Sequence, residues 1–264
     1  MSRVSSSNSM AQTPGDLVSA TPMAVPPIDR RPNGQDVPSR RQEPSDAFLE
    51  MSDRLQAKGK TLKHGADLLR SLRSPSAKNK NKPSESKVKL GYALGIESII
   101  AFIMAFQAHN VGRGMMNKRA DPQHWDSMWP LINFTRKEMA GDETNNFRPL
   151  KAMLLLLQAV CLEEVTKTFA HIDPSSLTAS QTLEFIVKTQ RRRAEVWPMM
   201  REAYASIGSS SMRIDFVPWY NIDDITDSAL RILRRWCSDE RVDWTPEPML
   251  RECWPIAPAK PGHT

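Results

Sequence analysis

The stretch LGYALGIESIIAFIMAF, Leu90 to Phe106, is the most apolar long run in this chain, and it admits two readings: a membrane span or a helix buried in a folded body. Its 17 residues make a helix of about 25 Å, set against a hydrocarbon core of about 30 Å. Glu97 falls near the middle, where a carboxylate costs on the order of 3 kcal/mol to insert into a bilayer. Lys87 and Lys89 stand before the run and Arg113, Lys118 and Arg119 after it, so no charge asymmetry orients a span. A second run, AMLLLLQAVCL (Ala152 to Leu162), has 11 residues and is shorter still. Both are expected to be buried helices. The opening MSRVSSSNSMAQTPGD has no apolar core of a secretory signal. The expectation is a soluble protein made in the cytosol, with no membrane partner.

Charge is spread unevenly. The chain carries +6 overall, but residues 1–90 hold +7 and the remaining residues −1. Arg54 to Lys89 alone contains 11 basic and 2 acidic residues. Attraction to nucleic acid, if the chain has any, is expected to centre there. The three cysteines share no close spacing, which fits a reducing compartment, and Cys161 sits in an apolar run as a core residue would.

The periodicity is helical throughout. Residues 1–44 are rich in Ser, Pro, Gln and Arg with no patterned apolar residues, and are expected to be a disordered arm. A first, basic helix is expected over 45–73, with Ser45 as N-cap and with Gly59 and Gly65 weakening its middle. A linker follows at 74–83, then a helical body over 84–241. Within the body, helices are expected at about 84–110 and from Asp121-Pro122 onwards, the latter kinked or divided at Pro130. Further helices are expected from Pro149 to Asp173-Pro174, from a capping box at Thr178–Gln181 to about Ile207 with an interruption at Pro198, and over about 222–238 from Asp223 or Asp224. Residues 242–264 read as a Pro-rich tail of which Trp244, Leu250 and Trp254 suggest that part docks. No segment reads as a strand. The fold class is all-α, a single domain of five to seven helices.

Catalytic chemistry finds little footing. No phosphate loop, dinucleotide fingerprint or zinc spacing is present, and the five histidines lie singly on separate segments. Glu163-Glu164 point to different faces of one helix, and Asp223-Asp224 stand at a helix start that favours negative charge. Arg191, Arg192 and Arg193 fan around a helix rather than forming a flat patch, so they read as a solvated face. Glu97, alone among apolar neighbours, is expected to pair with an Arg or Lys of another helix or to lie at a subunit contact. No catalytic residue, metal ligand, cofactor or small-molecule substrate is indicated. The expectation is a binding or scaffolding protein.

Several segments together resemble one family. RLQAKGKTLKHGADLL (Arg54 to Leu69) resembles the basic helix that opens the C-terminal homology domain of the AFF family, the scaffold proteins of the super elongation complex. KLGYALGIESIIAFIMAFQAHNVG is similar to the helix that follows there, with its Tyr-Ala step leading into an apolar run. WPLINFTRKEM and LKAMLLLLQAVCLEEV come in the family's order, and FVPWYNIDDITDSALRILRRW (Phe216 to Trp236) looks like its closing segment, with Leu233 and Trp236 as packing residues. The resemblance spans about residues 45–240. It implies a partly repeat-like helical domain that dimerises with itself or a related helical domain, in the nucleus, alongside elongation-factor subunits. The family's long disordered body is nearly absent. Gly59, Gly65, Gly91 and Gly95 make the first two helices looser than the family pattern, so this would be a minimal or diverged member.

Two functions follow as expectations. The first is a non-enzymatic nuclear scaffold that supports RNA polymerase II elongation, with Trp219, Tyr220, Leu233 and Trp236 at the dimer or partner interface. Large rigid side chains of this kind carry interface energy, although they also fill cores; the resemblance favours the interface. The alternative is a nucleic-acid-binding module in which Lys58, Lys60, Lys63, His64, Lys78, Lys80 and Lys82 contact RNA or DNA weakly, with a log–log salt slope near about −5 on a duplex.

Overall fold

The structure is a computed structural model and describes residues 42–71, 85–140, 147–169, 179–214 and 221–253. Helix α1 runs over Gln42–Ser71 and α2 over Glu85–Met115; α3 is Pro122–Asp126 and α4 Met128–Ala140. Helix α5 covers Arg148–Phe169, α6 Ala179–Ala205, α7 Ile222–Asp239 and α8 Pro248–Glu252. No strand occurs among the described residues. The all-α expectation holds. Helix α1 packs on one side of α2, whose far side meets α7 and α4; α5 lies beyond these, with α6 on its outer face. The arm (1–44, apart from the start of α1), the linker 74–83 and the tail from 254 on lie outside the described residues.

The glycines of the first two helices do the reverse of what propensity suggests. Ser45, Ser52, Gly59 and Ala66 recur every seven residues on α1, and Gly91, Ser98, Ala105 and Gly112 every seven on α2. All eight are buried. The helices run antiparallel, so Ser45 meets Gly112 at one end and Ala66 meets Gly91 at the other. A repeat of seven keeps one narrow face of each helix on its partner, and small residues on that face let the two backbones close up. The Ser45 hydroxyl donates to the Gly112 carbonyl at 2.9 Å, and Ser98 donates to the Gly59 carbonyl at 2.7 Å. A Cβ on Gly112 would stand 3.1 Å from both the Ser45 carbonyl oxygen and Leu49. Helix α1 is therefore continuous through Gly59 and Gly65. Tertiary contact outweighs a propensity cost of about 1 kcal/mol per glycine.

Helix α2 continues five residues past Asn110, through Gly112 and Gly114 to Met115, and the turn after it places Asn117 in a left-handed conformation (φ 55). At 31 residues it is long and apolar enough to cross a membrane, with a mean hydropathy of 1.6 in its best window. Yet 72% of that window is buried against the rest of the chain. The expected burial is found, although the argument from short length fails because the helix extends beyond the apolar run at both ends.

Proline and cap positions follow local rules with two adjustments. Asp121 caps α3 by accepting from the Gln123 amide at 2.8 Å. Pro130 cannot tolerate a helical carbonyl four residues earlier, so the chain divides at Ser127, and Pro130 sits in the first turn of α4. Pro198, in contrast, does not interrupt α6. Pro198 and Ala194 are both exposed, so water can take up the carbonyl that loses its partner. Asn221, rather than Asp223 or Asp224, caps α7 by accepting from the Asp224 amide at 2.8 Å.

Candidate functional site

The candidate residues named from sequence separate into three groups. Lys58 forms an ion pair with Glu247 at 3.2 Å and Lys63 with Asp67 at 2.6 Å, while Lys60 and His64 are exposed on α1. Lys78, Lys80 and Lys82, together with Trp219 and Tyr220, lie outside the described residues. Leu233 and Trp236 are 0% and 2% exposed within a single chain. Trp236 packs against Phe147, which in turn meets Tyr92 edge-on at 5.1 Å. Both residues fill the core, and the interface reading for them is corrected. The apolar stripe of α7 that suggested contact with another subunit is used against α2 and α5.

Glu97 has partners, though neither is a cation. Its carboxylate accepts from the Trp244 indole N–H at 2.9 Å and from the Glu247 backbone N–H at 2.6 Å. Burial raises its pKa above the usual carboxyl range, opposed by these two bonds and by the charge of Lys58. The segment after α7 is thus tied across α2. Arg241 reverses the chain in a left-handed conformation (φ 52), Trp244 and Glu247 reach Glu97, and Leu250 of α8 is buried. Residues 242–253, expected as the start of a tail, pack on the helical body.

Other groups with chemical potential are bound into the fold. Arg193 makes two hydrogen bonds to the Glu163 carboxylate, at 2.7 and 2.9 Å, and the Trp197 indole adds a third at 3.0 Å. Arg192 pairs with Asp126 and lies 4.2 Å from the Trp129 ring centre. Two of the three adjacent arginines therefore clamp α6 to α5, α3 and α4, and only Arg191 matches the solvated reading. Burial and the nearby Glu97 push the Cys237 thiol up to about 12, and burial raises the Cys161 thiol as well. The fold brings together two histidines that the sequence separates: the rings of His109 and His124 are 4.7 Å apart, edge to face. Burial, then the charges of His124 and Arg113, lower the His109 pKa. No group of three or more metal-ligating side chains occurs among the described residues.

One surface feature went unnoticed in the sequence. Helices α7 and α8 enclose an open groove of about 640 Å³. Leu230, Leu250, Pro246 and Pro248 supply its apolar lining, and Arg231, Arg234 and Arg251 its cations. These three arginines are exposed and have no hydrogen-bond or ion-pair partner among the described residues. Asp227, Glu247 and Glu252 also line it, and Glu247 already holds Lys58. The signal available in the sequence was Arg231 and Arg234 three apart on the polar side of a strongly amphipathic helix. The missing half was α8, which reads as irregular because of its prolines.

No family model matches this chain, nor does any curated protein or solved structure.

Proposed function

We propose that this chain is a non-enzymatic scaffold whose helical body presents contact surfaces to other proteins. The observation that carries the reading is a contrast in how polar groups are used. Glu97, Glu163, Asp126, Arg192 and Arg193 are engaged inside the fold, whereas unpaired charge and apolar surface coincide at the α7–α8 groove among the described residues. An array of unpartnered cations over an apolar floor suits recognition, not bond-making. The finer reading places this scaffold in the nucleus, among elongation-factor subunits of RNA polymerase II. Its support is the resemblance in segment order to the AFF C-terminal homology domain. Self-association belongs to the same reading, but its contact must use side chains other than Leu233 and Trp236. Leu183 and Val187, one turn apart on α6, are 62% and 55% exposed.

Affinity purification of the tagged full chain from nuclear extract tests this reading. Copurification of elongation factors is expected, and their absence at low and moderate salt overturns the elongation assignment. Light scattering on the full chain tests self-association separately: a dimer is expected, and a monomer at all concentrations removes that element.

A further inference from the structure

The α7–α8 groove combines features that select among occupants. Arg231 and Arg234 project from the exposed side of α7, and Arg251 from α8, so guanidinium groups line both walls. Each presents a planar donor fork that matches a carboxylate with two parallel hydrogen bonds. Between the walls, Leu230 with Pro246 and Pro248 forms an apolar floor that a chain of phosphates cannot satisfy, while Leu250 is buried in the core behind the cation of α8. The lining also contains Asp227 and Glu252, which repel closely spaced negative charge. A nucleic-acid backbone carries a charge on every residue and would meet both. A peptide with a few acidic side chains around an apolar anchor can place each carboxylate on an arginine and avoid the acids. The volume of about 640 Å³ falls in the range of ligand-binding clefts, room for a short segment rather than a whole helix face.

We propose that this groove binds a short acidic peptide segment of a partner protein, seating one large apolar side chain on Leu230, Pro246 and Pro248 and its carboxylates on Arg231, Arg234 and Arg251. The proposal deepens the scaffold reading by naming the partner's chemistry, and it rests on that reading only for the partner being a protein. Wall position depends on Glu97, because the bonds from Glu97 to Trp244 and Glu247 fix the segment that carries α8.

The test is fluorescence anisotropy of the full chain with three labelled probes. One is a decapeptide with glutamates flanking a Leu-Phe pair, one its glutamine counterpart, and one a single-stranded oligo-uridine. The acidic peptide should bind, and the glutamine peptide should bind at least about tenfold more weakly, since hydrogen bonds between charged groups are the strong ones. The double variant Arg231→Glu/Arg234→Glu should lose binding by a similar factor while its circular dichroism stays that of the wild type, because neither side chain has a partner among the described residues. Leu230→Asp should weaken the acidic peptide as well. Equal binding of the acidic and glutamine peptides overturns the proposal, as does no binding of either. Tighter binding of oligo-uridine, lost in the same double variant, overturns it in favour of nucleic acid. If elongation factors fail to copurify while the peptide binds, the elongation reading falls and the groove stands; the opposite pair of results removes the groove alone.

Discussion

Helix α1 and the α7–α8 groove are both rich in cations, and the chain uses them in opposite ways. On α1, Lys58 reaches across to Glu247, Lys63 holds Asp67, and Arg70 is drawn in beside Asp67 and over the Phe134 ring. On α7 and α8, Arg231, Arg234 and Arg251 hold nothing among the described residues. Lysine density along the sequence points to the first region, but of its described cations only Arg54 and Lys60 are exposed without an ion pair, whereas all three arginines of the groove are. A cation drawn out of water beside a carboxylate, as Arg70 is beside Asp67, has less to offer a partner than one left exposed and unpaired. The density of lysine along a segment is thus a measure of what a helix can bind only after its own contacts are known.

The largest expected effect breaks the α1 side of this comparison. Gly112→Leu places a side chain where a Cβ alone already meets a backbone carbonyl at 3.1 Å. Overpacking of this kind costs about 2–3 kcal/mol. Urea unfolding should show that loss, and hydrogen exchange should show faster exchange across α1 than in α5. An unchanged midpoint would mean that the two helices are not held by their small-residue faces.

Glu97→Gln should have the next largest effect, because it loosens the segment on which α8 is carried. An amide offers one acceptor to two N–H donors, and leaving a buried donor unmatched costs about 1–2 kcal/mol. The pH dependence has a definite sign. Burial raises the folded-state pKa of Glu97 above 4.5, so the folded chain binds the proton more tightly than the unfolded chain. The stability this group contributes is fully present below the unfolded value and is lost as pH rises through the folded value. Glutamine cannot show that loss. The deficit of the variant relative to wild type should therefore narrow as pH rises from 4 to 8, measured from urea midpoints. A deficit that widens would give Glu97 the opposite shift.

A smaller effect, of opposite sign, is expected at the turn between α7 and the segment bound to Glu97. Arg241 occupies the left-handed region that favours glycine, and the Val242 amide donates back to the Cys237 carbonyl at 2.8 Å to close the helix end. Arg241→Gly should stabilise the chain by about 0.5–1 kcal/mol in the same assay, the relief of strain being partly offset by backbone entropy. Destabilisation would show that the arginine side chain contributes more than its backbone conformation costs.

Much of this architecture was legible along the chain, and the exceptions have physical causes. The apolar runs, Asp121-Pro122 and the amphipathic stripe of α7 placed their helices within a few residues, because periodicity and capping are local. The α1–α2 contact was written in the sequence as small residues every seven positions on both helices, but single-residue propensity reads each glycine as a defect. Only the register across two helices shows them as a seam. Leu233 and Trp236 carried the composition of an interface and of a core equally, and only packing against Phe147 and its neighbours separates the two. Glu97 could not be assigned from its surroundings in sequence, since its partners lie about 150 residues away on a segment that prolines make look irregular. The groove depends on that same segment.

The difference between the two cationic surfaces is tested most directly by reversing the charges of each and melting the products. Lys58→Glu/Lys63→Glu would place like charges beside Glu247, Glu97 and Asp67, whereas Arg231→Glu/Arg234→Glu alters side chains without partners among the described residues. The first double variant should lower Tm by about 3 °C or more, and the second should leave it within about 1 °C of wild type. A fall in Tm for the arginine variant with none for the lysine variant would contradict the account, because it would show that the fold depends on the groove's charges and not on those of α1.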